Sequence, residues 1–205
     1  VKLNANGTRD TTFVNKVFNN GVFCTLSDTI NDKLYVGGAF STYNSLEENY
    51  LIRLNSNGTK DETFNIGNGF NSNVVGLTQY SNKVYAFGYF TQFSGSTQNR
   101  LIRLNSGGTK DETFDIGDGF NSNVYFAITG TSGIVYVGGA FTQFSGLTQY
   151  YMMRLNSGGT KDETFDIGDG FNNTTNLAVL DPTGKDHKSV VYGKIIQRSE
   201  DHSRR

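Results

Sequence analysis

The side chains of this chain that could do chemistry are carboxylates, arginines and amide–aromatic pairs, and nearly all recur at fixed spacing. Asp111-Glu112 is followed by Asp115 and Asp118, and the set returns as Asp162-Glu163, Asp166 and Asp169. The stretch Asp115-Ile116-Gly117-Asp118-Gly119 combines hard oxygen ligands with glycines, the ingredients of a calcium loop. The preceding copy has Asn65 and Asn68 there, which halves the charge, and neither a third acidic position nor a downstream bidentate glutamate completes an EF-hand. Asp115, Asp118, Asp166 and Asp169 are therefore weak calcium candidates beside a plainer reading, turn-forming residues that cap their own backbone. Arg53, Arg103 and Arg154 alternate with apolar neighbours and share one face of a strand. A ring of arginines could bind an anion; the expected role is pairing with the repeated Asp61, Asp111 and Asp162, holding one unit to the next. Gln92-Phe93, Gln143-Phe144 and, in the first copy, Tyr43 lie in loops whose side chains could stack on and hydrogen-bond a sugar or peptide. A phenylalanine at a fixed repeat position also reads as a wedge between units.

Other chemistry is poorly supplied. Both histidines, His187 and His202, lie near the C-terminus beyond the repeating pattern, so no Ser-His-Asp or Cys-His arrangement is expected in the units. Cys24 is alone, which rules out an internal disulfide and a CxxC metal site; it reads as a small buried apolar residue. Gly37-Gly38 and Gly117-x-Gly119 are followed by no helix, so they lack the N-terminus that makes such loops bind phosphate. No residue stands out as chemically unusual in one copy only, the symmetry breaking that a catalytic site on repeated units needs. No cofactor is expected apart from the calcium candidate.

What must position these side chains is a β scaffold. The chain has 205 residues, with 25 Gly, 16 Phe and 11 Tyr but a single Pro and no Trp, a mixture that suits strands joined by tight turns. The formal charge of −1 gives no basic face for nucleic acid. No apolar run approaches the roughly 18 residues of a membrane helix, and no signal segment is visible.

Self-comparison reveals the organisation. Leu51-Ile52-Arg53-Leu54-Asn55-Ser56-Asn57-Gly58-Thr59-Lys60-Asp61-Glu62-Thr63-Phe64 returns as residues 101–114 and again as 152–165, and residues 1–13 form a divergent copy. The closing Phe13, Phe64, Phe114 and Phe165 are 51, 50 and 51 residues apart, and residues 105–121 are identical to 156–172. Each unit divides into four short β segments with no helical period, as in Val124–Thr129, Ile134–Gly138, Tyr151–Leu155 and a short run ending at Phe165. Four short antiparallel strands repeated every ~50 residues describe the blades of a propeller. The expected fold is thus all-β: a half blade over 1–13, full blades over 14–64, 65–114 and 115–165, and the start of a last blade over 166–184. The half blades at the two ends could join as one composite, giving about four blade equivalents and hiding both sheet edges. An arc completed by a second copy and a fragment of a longer ring are the other two readings. The segment 185–205 departs from the pattern and carries much of the charge.

The strings RLNSGGTKDETF and YVGGAF, which with their variants recur in four and three copies, resemble the delta-60 repeat, the DUF5122 β-propeller family, over about residues 1–180. The departures are Lys2 in place of the repeated arginine and the loss of pattern after Gly184. The resemblance implies a propeller, brings no catalytic residues with it, and points to a cell surface or virion. The functional expectation is a non-catalytic recognition or scaffold module with a protein or glycan partner, or a homo-oligomer completing the propeller. A purely structural virion or phage tail component is the alternative, and an enzyme with a carboxylate or calcium site in the central channel the third.

Overall fold

The computed structural model describes residues 2–13, 17–168 and 170–176, together with the backbone of Ala178–Val179 and Val190–Val191. The first full unit runs through β1 (Val22–Asp28), β2 (Lys33–Gly38), the small hairpin β3 (Thr42–Tyr43) and β4 (Leu46–Glu47), and β5 (Leu51–Asn55). The second repeats this as β6 (Val74–Tyr80), β7 (Lys83–Gly88), β8 (Gln92–Phe93), β9 (Ser96–Thr97) and β10 (Leu101–Leu104). The third comprises β11 (Val124–Thr129), β12 (Val135–Gly139), β13 (Gln143–Phe144), β14 (Leu147–Thr148) and β15 (Met152–Leu155). A further pair, β16 (Ala178–Val179) and β17 (Val190–Val191), is antiparallel. The sheets are β1-β2-β5, β6-β7-β10 and β11-β12-β15, and the first strands β1, β6, β11 and β16 follow one another as neighbours.

The fourth strand of each blade differs from the expectation. It is reduced to one antiparallel bridge, Leu54 with Lys60, Leu104 with Lys110, and Leu155 with Lys161. The cause is local: in Asp61-Glu62-Thr63-Phe64 the Asp61 carboxylate accepts from the Thr63 N–H and hydroxyl, and Phe64 N–H donates to Asp61 O. That turn ends the ladder after a single pair.

Two glycine devices set the shape of each inner hairpin. A Cβ on Gly38, Gly88 or Gly139 would lie 2.1–2.2 Å from a backbone carbonyl at the start of the inner strand, where the register shifts. One pair further along, volume is traded between strands. Gly76 faces Phe87 in the second unit and Phe126 faces Gly138 in the third, each ring filling the space the glycine leaves, while Cys24 faces Gly37 in the first.

The apolar residues are buried mostly between units. One cluster joins Tyr35, Leu51 and Phe64 of the first unit to Phe70, Val84 and Phe90 of the second. The next joins Tyr85, Leu101 and Phe114 to Phe120, Val135 and Phe141. Stability in such an array comes from nearest-neighbour faces. Before the first full unit the cluster is smaller, with Val36, Phe40, Tyr43, Ile52 and Leu54 packed by the partly buried Phe13 and Phe18.

Candidate functional site

The repeated arginines are structural clamps. Arg53 Nε donates to Asp61 Oδ2 at 2.8 Å, Nη2 to the Thr63 hydroxyl at 2.9 Å, and Nη1 to both Tyr35 OH (3.1 Å) and Ser106 O (2.6 Å). The guanidinium also lies over the Phe64 ring, 4.8 Å from its centroid. Arg103 repeats the set with Asp111, Thr113, Tyr85 and Ser157 O. The pairing thus corrects the expectation in one respect: arginine and aspartate belong to the same unit, and the reach to the next unit is made by arginine to a turn carbonyl. Burial opposes ionisation of Asp61, but the bonds from Thr63 and Lys33 and the charge of Arg53 outweigh it and hold the carboxyl at about 2. The same groups hold Asp111 low against its burial, and Asp162 is lowered chiefly by the Thr164 hydroxyl.

The loops expected at the rim are small hairpins, and their aromatic side chains face inward. Tyr43, Phe93 and Phe144 are buried. Phe93 and Phe144 pack at 5.0 and 4.9 Å from Phe70 and Phe120, and Tyr43 OH donates to Gly58 O. They act as the wedge and are removed from any stacking surface. Gln92 and Gln143 are exposed.

The calcium candidates are turn caps. Asp115 Oδ1 and Asp166 Oδ1 accept from the N–H of Gly117 and Gly168 at 2.8 Å, as Asn65 Oδ1 does from Gly67. Asp118 is exposed and lends its backbone carbonyl to Asn99, and Asp169 lies outside the described residues. Among the described residues, no group of three His, Cys, Asp or Glu is placed to hold a metal ion. Burial pushes the Cys24 thiol up to about 12, leaving it an inert packing group beside Gly37.

Two features escaped the sequence reading. The first is a groove of about 710 Å3 between the first and second units. Its walls are the inner turn of the first unit, with Ile30 and Asn31, the inner turn of the second, Gln79-Tyr80-Ser81-Asn82, and the Ser106-Gly107 turn. Lys33 and Arg53 are in the groove, both paired with Asp61, at 3.2 and 2.8 Å, and the Asp28 carboxylate, held by Asn31, supplies the second negative charge. What faces solvent is amide, hydroxyl, the partly exposed Asp28 carboxylate, one apolar side chain and the half-exposed Tyr80 ring. The corresponding place between the second and third units is bridged. There Thr129 hydrogen-bonds Gln79 O at 2.9 Å, and Gly133 is wedged between the Tyr80 ring and Ser157. The groove arises because the three inner turns differ: Asp28–Lys33, Tyr80–Lys83, and Thr129–Val135 with a short 3-10 turn.

The second is symmetry breaking by single residues, which corrects the expectation that none exists. Glu48 stands where Gln98 and Gln149 donate to Leu101 O and Met152 O. It is buried, burial pushes its carboxyl up, and Lys60 is its ion-pair partner. Arg100 replaces Tyr50 and Tyr151 at a positive-φ position, donates to Tyr89 O, and has its Nε buried without a partner. Comparing Glu47-Glu48-Asn49-Tyr50 with Thr97-Gln98-Asn99-Arg100 was enough to find both.

Comparison with known proteins agrees with this architecture. Residues 31–64, 79–114 and 132–165 match the family described as "Domain of unknown function (DUF5122) beta-propeller". No curated protein sequence matches the chain. The crystal structure of the computationally designed Ika4 protein is similar with a TM-score of 0.56 at 12% identity, over 91% of this chain and 99% of that one. The WD40 beta propeller domain of Doa1 is similar at a TM-score of 0.47 and 11% identity, over 76% of this chain and 43% of that one.

Proposed function

The chain belongs to the DUF5122 β-propeller family, and from that premise we propose that it is a non-catalytic recognition or scaffold module, displayed on a cell surface or virion, that takes a protein or glycan partner. The observation that carries the reading is the groove between the first two units. It is concave, and the charges of Lys33 and Arg53 are balanced there by Asp61 and Asp28. Exposed amides and hydroxyls beside a tyrosine ring suit a neutral, hydroxyl-rich ligand such as a glycan chain. A non-catalytic role fits the carboxylates: Asp61, Asp111 and Asp162, whose proton affinity is shifted, are bound into the clamps. In an array of near-identical units, an asymmetric partner must be read by the parts that differ, and the inner turns that frame the groove are such parts. No helix among the described residues is long and apolar enough to cross a membrane.

The test is a glycan array probed with the chain, followed by titration of any hit against Tyr80→Ala and Asn82→Ala. Binding that weakens at least tenfold in these variants, and not in Gln143→Ala, supports the groove. Silence on the array and in pull-downs, together with a stable large assembly, overturns the recognition reading in favour of a purely structural component.

A further inference from the structure

The second and third units each carry a turn that docks against the unit before it, with the same atoms both times. Ser106 O and Ser157 O accept from Arg53 and Arg103 Nη1, both at 2.6 Å, and Gly107 O and Gly158 O accept from the N–H of Asn65 and Asp115, both at 2.8 Å. Gly108 and Gly159 press so closely that a Cβ on either would lie 2.5–2.6 Å from the carbonyl of Asn65 or Asp115.

The chain holds two more such turns, at Asn55 and Asn4, of which the Asn4 turn makes no hydrogen bond to another unit among the described residues, and one more such receptor, without its turn among the described residues. In Asn4-Ala5-Asn6-Gly7-Thr8, Asn4 N–H donates to Thr8 O at 2.8 Å and Gly7 N–H to Asn4 O at 2.9 Å, the same distances as in the turns at Asn55, Asn105 and Asn156. Gly7 has φ +82°, and a Cβ there would meet nothing within 4 Å. At the other end, Arg154 keeps its bonds to Asp162 and Thr164 but makes none from Nη1 to a turn carbonyl among the described residues. Phe165 and Ile167 are only partly buried, where Phe64, Phe114, Ile66 and Ile116 are buried. The Tyr136 hydroxyl is buried beside Arg154 without a well-formed hydrogen bond among the described residues, whereas those of Tyr35 and Tyr85 accept from their arginines. A turn carbonyl docked on Arg154 would supply the acceptor that Ser106 and Ser157 give to Arg53 and Arg103.

The geometry points to self-assembly head to tail: the Asn4–Thr8 turn of one copy docks on the Arg154–Phe165 face of a second copy. Such a heterologous contact closes into a ring or propagates as a filament, depending on its rotation. It uses neither wall of the groove, so ligand binding and assembly can fail separately.

The test is sedimentation of the 205-residue chain over a hundredfold concentration range, with two variants whose folding is checked by circular dichroism. Gly7→Val strains and blocks the turn, and Arg154→Gln removes the receiving donor. The wild type is expected to rise in mass with concentration to at least twice one chain. Each variant alone should stay at one chain, and their equimolar mixture should form a 1:1 dimer, because it retains one intact turn and one intact receptor. A wild type that stays monomeric overturns the proposal; if Gly7→Val also lowers the melting temperature, the turn closes on its own third unit. Self-association undiminished by either substitution, or a mixture that does not recombine, overturns it as well.

Discussion

Glu48→Gln should stabilise this protein at neutral pH, and the array supplies its own controls. At the equivalent positions the Gln98 and Gln149 amides donate to Leu101 O and Met152 O at 2.7 and 2.8 Å. Glu48 is 6% exposed and its ionised carboxylate has no hydrogen to give to the matching Leu51 carbonyl. Burial raises its proton affinity, the Lys60 ammonium lowers it, and Glu62 adds repulsion, with a net upward shift. An acid whose folded value lies above its unfolded value costs stability once ionised. That cost is absent below the unfolded value of about 4.3 and grows as pH rises through the folded value. The substitution adds one hydrogen bond, worth about 1 kcal/mol, and relieves a buried charge. It gives up the pair with the partly exposed Lys60, worth at most about 1 kcal/mol. The expected balance is a gain of about 1 kcal/mol at pH 7.5, or a melting temperature roughly 2–4 °C higher for a chain of this size. At pH 4 Glu48 is itself protonated and can donate, so the gain should shrink toward zero. Thermal melts of both proteins at the two pH values check this. A destabilised variant at pH 7.5, or a gain of equal size at both, would refute the reasoning.

Arg103→Ala should cost about 2–4 kcal/mol in urea unfolding, because it takes one of two cations from the buried Asp111 carboxylate, leaving Lys83, and frees Ser157 O. Arg154→Ala should cost at least about 1 kcal/mol less, since Arg154 is more exposed and holds no carbonyl of a neighbouring unit among the described residues; equal costs would refute the clamp. Asp61, Asp111 and Asp162 are depressed in the folded state, so their contribution is complete above the unfolded value of about 3.9 and is lost as pH falls from there toward 2. The urea midpoint should therefore drop over that window, and a flat midpoint would count against it. Gly88→Ala, whose Cβ would lie 2.2 Å from Asn73 O, should lose about 1–3 kcal/mol. Gly107→Ala, with its nearest atom 4.0 Å away, should stay within about 0.5 kcal/mol.

The fold was legible because the ~50-residue period repeats both the strands and the phenylalanines that wedge between units. Phe93 and Phe144 could be read as wedge or as binding surface, and their packing against Phe70 and Phe120 decides for the wedge. The repetition of arginine and aspartate in every unit pointed to their pairing, though from one unit to the next, whereas Arg53 and Asp61 pair within one unit. What it could not announce was the third partner, Ser106 O, which lies 53 positions away on another unit. The missing fourth strands follow from Asp61-x-Thr63, a turn signal that a strand count overrides too easily. The groove was illegible for a different reason. It is a space between two turns, and whether Tyr80 meets Gly133 or open solvent depends on how adjacent units approach.

The trade of volume between Phe87 and Phe126 has a consequence for how such an array can change. Its units are so alike that exchange between them, by unequal recombination or by deliberate shuffling, leaves most positions untouched. An exchange whose endpoint falls inside the inner hairpin is different. Joining the third unit's first strand to the second unit's next strand sets Phe126 against Phe87, two rings in the room of one. The reciprocal product sets Gly76 against Gly138 and opens a hole. The hairpin is therefore the smallest piece that can be inherited intact. Blades can be gained, lost or swapped only with crossover points outside it.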